Sequence, residues 1–210
     1  MVDFELSASE ARVLGCLLEK DMATPEYYPL SLNGLVNACN QKSNRNPVVS
    51  YDENTVREAV VGLKEKQLVW QSDAGRVAKF AHHFDKRFNL LPRELAIICL
   101  LLLRGPQTLG ELRGRAEKLH SFKDLDEVQV AVGSLEEIGL VRKMSRLPGH
   151  KEPRFAHLLS GEPEQGPAEI PRDRPLTDER IDALEKELAE VRTELAELQQ
   201  AFTAFRKLFD

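Results

Sequence analysis

One pattern of apolar residues occurs twice along the chain. The first copy begins at Leu6 and the second at Leu91, with a constant offset of 85 residues, and the spacing within both copies is that of one helix face. The matched positions are Leu6, Ala11, Val13, Leu14, Leu17 and Leu18 in one copy and Leu91, Ala96, Ile98, Cys99, Leu102 and Leu103 in the other. Because both copies must bury the same face, the repeat predicts two small units of one fold.

Each copy also predicts two further helices. Ser31 and Thr108 are good N-caps for a second helix, and Thr108 lies three residues before Glu111, the spacing of a capping box. Ser50 and Glu53 have the same spacing before the third helix of the first copy. The apolar positions of the third helices and of the β-type residues after them are Val56, Val60, Leu63, Leu68 and Val69 in the first copy and Val128, Val132, Leu135, Leu140 and Val141 in the second.

The two copies end alike. In each, a polar turn leads to a second strand that closes with the tripeptide Phe-Ala-His, at residues 80–82 and 155–157. Three helices followed by a β-hairpin is the order of a winged helix, in which helices two and three form a helix-turn-helix and the hairpin is the wing. The sequence therefore predicts a mainly α fold with small β-hairpins, built from two tandem winged-helix domains, residues 1–88 and 89–160.

The carboxy-terminal part has a different pattern. Residues 161–175 are rich in glycine, proline and glutamate and are predicted to be an exposed linker. In residues 176–210 the apolar residues alternate spacings of three and four over four heptads, which predicts a coiled-coil helix. The helix either pairs with that of a second copy, as the heptad period favours, or folds back on its own domains. The predicted dimerisation residues are Ile181, Leu184, Leu188, Val191, Leu195, Leu198, Phe202 and Phe205.

Charge is unevenly distributed along the chain. The net charge is −5 at pH 7, but residues 161–210 hold 13 acidic and 7 basic residues, which leaves 21 acidic and 22 basic residues in the first 160. The predicted winged-helix domains are therefore close to neutral and can carry local basic patches.

The composition and motifs predict a cytoplasmic protein that is not an enzyme. The amino terminus lacks the basic start and apolar run of a signal peptide, and no apolar stretch approaches the roughly 20 residues that cross a bilayer, so no membrane partner is expected. Cys16, Cys39 and Cys99 lie far apart, which argues against a structural zinc site or a disulfide framework. The histidines are not at metal-ligand spacing, and no phosphate-binding loop or nucleophile elbow is present. No metal or cofactor is therefore predicted.

Two polar segments resemble the YceH family of bacterial proteins. One runs from Thr24 to Asn33 and continues from Ala38 to Arg45; the other runs from Leu102 to Thr108 and continues from Gly110 to Arg113. The resemblance extends over the whole chain, including the heptad tail. It implies a tandem winged-helix fold, but it implies no activity and identifies no functional residues.

The candidate nucleic-acid contacts lie on the third helix of the first copy, on the turn before it, and on the second helix and the wing of the second copy. In a winged helix that binds DNA, the third helix enters the major groove and the wing touches phosphate. The third helix of the second copy carries Asp126 and Glu137 and is a poor base reader, so the sequence favours contact with the phosphate backbone of double-stranded DNA. The candidate residues are Lys42, Asn44, Arg45, Arg57, Lys64, Arg113, Arg115, Arg142, Lys143, Arg146, Lys151 and Arg154.

These assignments have alternatives that the sequence leaves open. The basic residues of the second wing can be surface charges that pair with Glu111, Glu117 and Glu152, and residues 37–46 can be an ordinary polar turn. The first function hypothesis is a DNA-binding, transcription-regulator-like protein that dimerises through its tail. The second is a non-enzymatic scaffold that offers its winged-helix surfaces and coiled coil to a protein partner.

Overall fold

A computed structural model of the chain describes residues 4–73, 75, 77–145 and 152–162. The predicted coiled-coil helix with its dimerisation residues, and all but the start of the predicted linker, lie outside these residues, so both stay predictions. Within the described residues the protein is mainly helical with small antiparallel sheets, which confirms the coarse fold class.

The first half runs from helix α1 to helix α4, and its helices begin at side-chain caps. Ser7 and Glu10 form a capping box at α1, and Ser31 caps α2 as predicted. The elements are α1 (Ala8–Ala23), a 3-10 turn (Pro25–Tyr27), β1 (Leu30–Ser31), α2 (Leu32–Cys39), α3 (Glu53–Glu65), β2 (Val69–Ser72), β3 (Lys79–His82) and α4 (Phe84–Phe88).

The predicted capping box of Ser50 and Glu53 at α3 is wrong. Asp52 is the N-cap instead, and its carboxylate accepts a hydrogen bond from the Thr55 backbone N–H at 2.8 Å. The physical reason is that a capping side chain must directly precede the first helical residue, and α3 begins at Glu53.

The second half repeats the helices of the first. Thr108 and Glu111 form the predicted capping box at the second helix of this half, and Asp124 caps the third through the Glu127 N–H at 2.9 Å. The elements are α5 (Pro92–Arg104), α6 (Leu109–Ala116), α7 (Leu125–Glu137), β4 (Val141–Lys143) and β5 (Phe155–His157).

The strands of the two halves are arranged alike. In the first half the order is β1-β3-β2, with Leu30 opposite Phe80. In the second half β4 pairs with β5, and Gln107 forms an isolated bridge with Phe155. Leu30 and Gln107 both directly precede the N-cap of a second helix. A short β segment before the second helix therefore pairs with the last strand in both halves, a feature that the apolar pattern did not predict.

A single hydrophobic core connects the two halves. The predicted boundary after residue 88 falls between α4 and α5, yet residues of both halves belong to one buried cluster. Helices α1 and α5 pack closely against each other, since a Cβ placed on Gly15 would lie 2.8 Å from Leu103 Cδ2. Helix α5 is buried from Glu94 to Leu103, as expected of a helix that is apolar on all sides. None of the helices described is both long and apolar enough to cross a membrane.

Candidate nucleic-acid interface

Helix α3 presents two exposed cations. Arg57 pairs with Glu53 one helical turn away, and both side chains are largely exposed, so this pair adds little stability. Lys64 donates a hydrogen bond from Nζ to Gln71 Oε1 on β2 at 2.8 Å. The neutral amide of Gln71 therefore positions the Lys64 ammonium group beside the first hairpin.

The same helix borders a groove of about 300 Å³ against the first hairpin, which we call the α3 groove. Its floor is apolar, because Val60 and Phe80 are buried, and its edge includes Val61, which is 51% exposed. The residues that line it are Leu32, Arg57, Val60, Val61, Lys64, Gln71, Ala78 and Phe80. No sequence pattern indicates this groove, since it depends on how the hairpin packs beside α3.

The turn before α3 holds a buried arginine. The Arg45 side chain has no solvent exposure, and its guanidinium contacts the Glu19 carboxylate at 2.6 and 3.0 Å. It also donates to the backbone oxygen of Ala38 at 3.1 Å and to Gln41 Oε1 at 3.0 Å. Burial raises the pKa of Glu19, but the hydrogen bonds and charge of Arg45 outweigh burial and hold that pKa below its ordinary value.

Arg45 therefore does not belong to a DNA-contacting surface in this structure. Its donors are used inside the protein, and its side chain is out of reach of solvent. A second buried arginine, Arg12 of α1, donates to the backbone oxygen of Cys39 at 3.4 Å. Arg12, Cys16 and Glu19 follow one another at helical spacing, so charged residues on the apolar face of α1 were the sequence signal for this cluster.

The rest of the turn also attaches to the protein. Asn44 has a left-handed backbone with φ of 60°, and its side-chain oxygen accepts a hydrogen bond from Arg104. The Asn46 N–H donates to the backbone oxygen of Leu103 at 2.9 Å. Hydrogen bonds of this turn thus connect the end of α2 with the end of α5. Lys42, the remaining candidate in this turn, is exposed.

In the second half, two of the candidate arginines contact Glu111. Arg115 lies 3.7 Å from the Glu111 carboxylate and donates to Gln107 Oε1 at 2.9 Å. Arg154 lies 3.3 Å from the same carboxylate and donates to the backbone oxygen of Pro106. Arg113 is exposed and donates to the backbone oxygen of Lys123 at 3.0 Å.

The second hairpin is also partly neutralised. Arg142 pairs with Glu162 at 2.5 Å. Lys143 is exposed, but its backbone N–H donates to the carboxylate of Glu136 on α7 at 2.9 Å. Two further candidates, Arg146 and Lys151, lie outside the described residues. The structure therefore does not bring the predicted basic residues of the second half together as one unpaired patch within the residues that it describes.

The two Phe-Ala-His strand ends have different histidine environments. His82 Nε2 lies 3.0 Å from an Asp21 oxygen, and its Nδ1 lies 3.4 Å from an Asp85 oxygen. His157 Nδ1 is buried and has no hydrogen-bond partner among the described residues. Burial lowers the pKa of His157 to about 4. Equivalent positions in the repeat thus place one imidazole among carboxylates and the other in an apolar setting.

Comparison with known proteins gives relatives along the whole chain. The family described as "Protein of unknown function, DUF480" matches residues 6–150. A UPF0502 protein from Pelobacter propionicus is 52% identical over 98% of both chains. Another from Solibacter usitatus is 49% identical over the full length of both chains, and one from Geobacter sulfurreducens is 51% identical over 98% of both.

Proposed function

For this chain, which belongs to the DUF480 family of bacterial UPF0502, YceH-like proteins, we propose binding of duplex DNA through the phosphate backbone by the first half. The names of its relatives state no activity, so the proposal depends on the geometry of the chain itself. It has three parts: the type of unit, the half that carries the contacts, and the role of the tail.

The first part is that each half is a winged helix. Both halves have three helices followed by a hairpin, and a short β segment between the first two helices pairs with the last strand. This order supports α2-α3 and α6-α7 as helix-turn-helix pairs, with the hairpins β2-β3 and β4-β5 as wings.

The observation that carries the second part is the contrast between the two third helices. Arg57 and Lys64 are exposed on α3 beside the first hairpin. The equivalent positions on α7, 72 residues later as Val128 follows Val56, are Gln129 and Glu136. Phosphate is attracted to the first pair and repelled by the carboxylate of the second. The first half is therefore the better candidate for the DNA-binding surface, with Lys42 as a third phosphate contact.

We expect the full-length protein to bind random-sequence duplex DNA at low salt and its affinity for DNA to fall as the salt concentration rises. With three phosphate contacts, Lys42, Arg57 and Lys64, the slope of log K against log salt should be about −3. Changing both Arg57→Glu and Lys64→Glu should weaken binding by about tenfold or more and reduce the magnitude of the slope by about 2. A gel-shift titration at about 50 and 200 mM salt measures both quantities.

The matched control makes the same charge change in the second half. Arg113→Glu with Lys143→Glu alters two exposed cations and should weaken binding by less than about threefold if the first half carries the contacts. An equal loss in both double variants would contradict the assignment to the first half. Absence of binding at either salt concentration would contradict DNA binding altogether.

The third part of the proposal is that the tail forms a parallel coiled-coil homodimer. In a parallel pair, Arg180 would face Glu185 of the second copy and Glu187 would face Arg192, and both contacts are attractive. We expect sedimentation equilibrium to give twice the chain mass for the full protein and a single chain mass after truncation at Pro175. A monomeric full-length protein would contradict the dimer and favour a tail that folds back.

A second candidate function is a protein-interaction scaffold. The exposed face of α7 carries Asp126, Glu136 and Glu137, which would repel DNA but can attract a basic partner. The α3 groove also offers an apolar surface, which suits an apolar side chain of a protein partner and not a phosphate group. Absence of DNA binding in the gel-shift titration would favour the scaffold function.

A further inference from the structure

The α3 groove exposes apolar surface at a site where charged side chains flank it. Val61 is 51% exposed at its edge, while Val60 and Phe80 form the floor. An apolar side chain that entered the groove would remove this surface from water, which is favourable by about 25 cal/mol per Å². A groove of about 300 Å³ is at the lower limit of ligand pockets and suits one or two side chains rather than a large cofactor.

Both charged residues that line the groove are cations. Lys64 is held by the neutral amide of Gln71 at 2.8 Å, so that bond leaves its charge uncompensated. Arg57 pairs with Glu53, but this pair is largely exposed and is readily exchanged for another carboxylate. The groove is therefore complementary to an occupant that is apolar at its centre and negative at both ends.

The distance between Arg57 and Lys64 determines how far apart the acidic residues of the occupant must be. Arg57 and Lys64 are seven residues apart on one helix, which places their backbones about 10 Å apart along its axis. In an extended peptide, side chains two and four residues apart lie on the same face, and four residues span about 13 Å, which the long arginine and lysine side chains can bridge. Val60 and Val61 lie between the two cations. An apolar residue midway between two acidic residues four positions apart would thus face the valines while both acidic residues face the cations.

We propose that the α3 groove binds an extended acidic peptide segment of a partner protein, with carboxylates four residues apart and an apolar side chain midway between them. The inference rests on the second candidate function, the scaffold, and stands independently of DNA binding. Duplex DNA would use the same two cations, but its backbone has no apolar side chain to fill the groove between them.

The test uses the full-length chain and a fluorescein-labelled peptide, Gly-Ser-Glu-Ser-Leu-Ser-Glu-Ser-Gly, in fluorescence polarisation. We expect saturable binding with a Kd of roughly 10 to 100 µM, the range for a small interface with one anchor. Replacing both glutamates of the peptide by glutamine, or its leucine by serine, should weaken binding by about fivefold or more.

Two variants of the protein separate the groove from the rest of the surface. Val61→Gln removes apolar surface without changing charge and should weaken peptide binding about fivefold. Val130→Gln is the matched control, since Val130 is a similarly exposed valine on α7, at 57%, and it should leave the Kd unchanged. Because Val61→Gln keeps Arg57 and Lys64, it should not alter the affinity for duplex DNA.

Three results would overturn the inference. The first is no saturation below about 1 mM peptide, and the second is an equal response of the Val61→Gln and Val130→Gln variants. The third is a Val61→Gln variant that loses DNA and peptide affinity alike, which would make the groove a nucleic-acid surface. A wild-type protein that binds the peptide but does not bind duplex DNA would instead contradict only the DNA proposal.

Discussion

Replacing Arg45 by alanine is expected to lower the free energy of unfolding by about 3–5 kcal/mol. The Arg45 side chain has no exposure and the Glu19 side chain only 13%. Its removal leaves the largely buried Glu19 carboxylate with Lys20, 3.4 Å away, in place of the two-point contact with Arg45. It also leaves the backbone oxygen of Ala38 without a donor from this side chain. Equilibrium unfolding in urea at neutral pH measures the change as a shift of the transition midpoint.

Two further variants define what Arg45 contributes. Lys42→Ala changes an exposed cation in the same turn and should alter stability by no more than about 0.5 kcal/mol. Arg45→Lys keeps the charge but loses the planar fork that contacts both Glu19 oxygens, so it should recover only part of the loss. A loss below about 1 kcal/mol in Arg45→Ala would contradict a structural role and return Arg45 to the DNA-contact candidates.

Acidification from pH 7 to pH 4 is expected to destabilise the protein through His157 by about 3 kcal/mol. Burial lowers the pKa of His157 from 6.5 to about 4 in the folded protein. The folded state therefore disfavours the protonated imidazole, which the unfolded chain accepts. The contribution of His157 to stability is complete above pH 6.5 and is lost as the pH falls towards 4.

Urea midpoints measured across this pH range for the wild type and for His157→Gln test the expectation. The glutamine variant should show a weaker dependence on pH, whereas His83→Gln, which removes an exposed histidine, should keep the wild-type dependence. Glu19 and Glu10 also have pKa values lowered from 4.5, so their contribution is lost as the pH falls below about 4.5, and equally in all three proteins. Parallel pH curves for wild type and His157→Gln would contradict the low pKa of His157.

The local parts of the fold were predictable from the sequence. The capping box of Thr108 and Glu111 was found from spacing alone, because its donors and acceptors are three residues apart. The strand ends at residues 80–82 and 155–157 were found from their shared tripeptide. Ser50 failed as a cap because the same pattern allowed a helix start two residues earlier than the observed one.

The candidate site was predicted less well, since charge alone does not show where a side chain goes. Arg45 and Lys42 are three residues apart in one polar turn, yet one is buried against Glu19 and the other is exposed. Arg154 and Arg115 both belong to basic segments, and both meet Glu111. The α3 groove had no sequence pattern, because its walls come from α2, α3 and the first hairpin.

Helix positions and caps follow from residues that lie within a few positions of one another, so periodicity and capping chemistry were enough to locate them. The duplication followed because the same local pattern recurs 85 residues later. The partners of the charged residues could not be found in this way. Arg45 and Glu19 are separated by 26 residues, and Arg154 and Glu111 by 43. Only chain folding decides whether such a charge is paired in the interior or left facing solvent, because burial makes a close partner necessary and exposure does not.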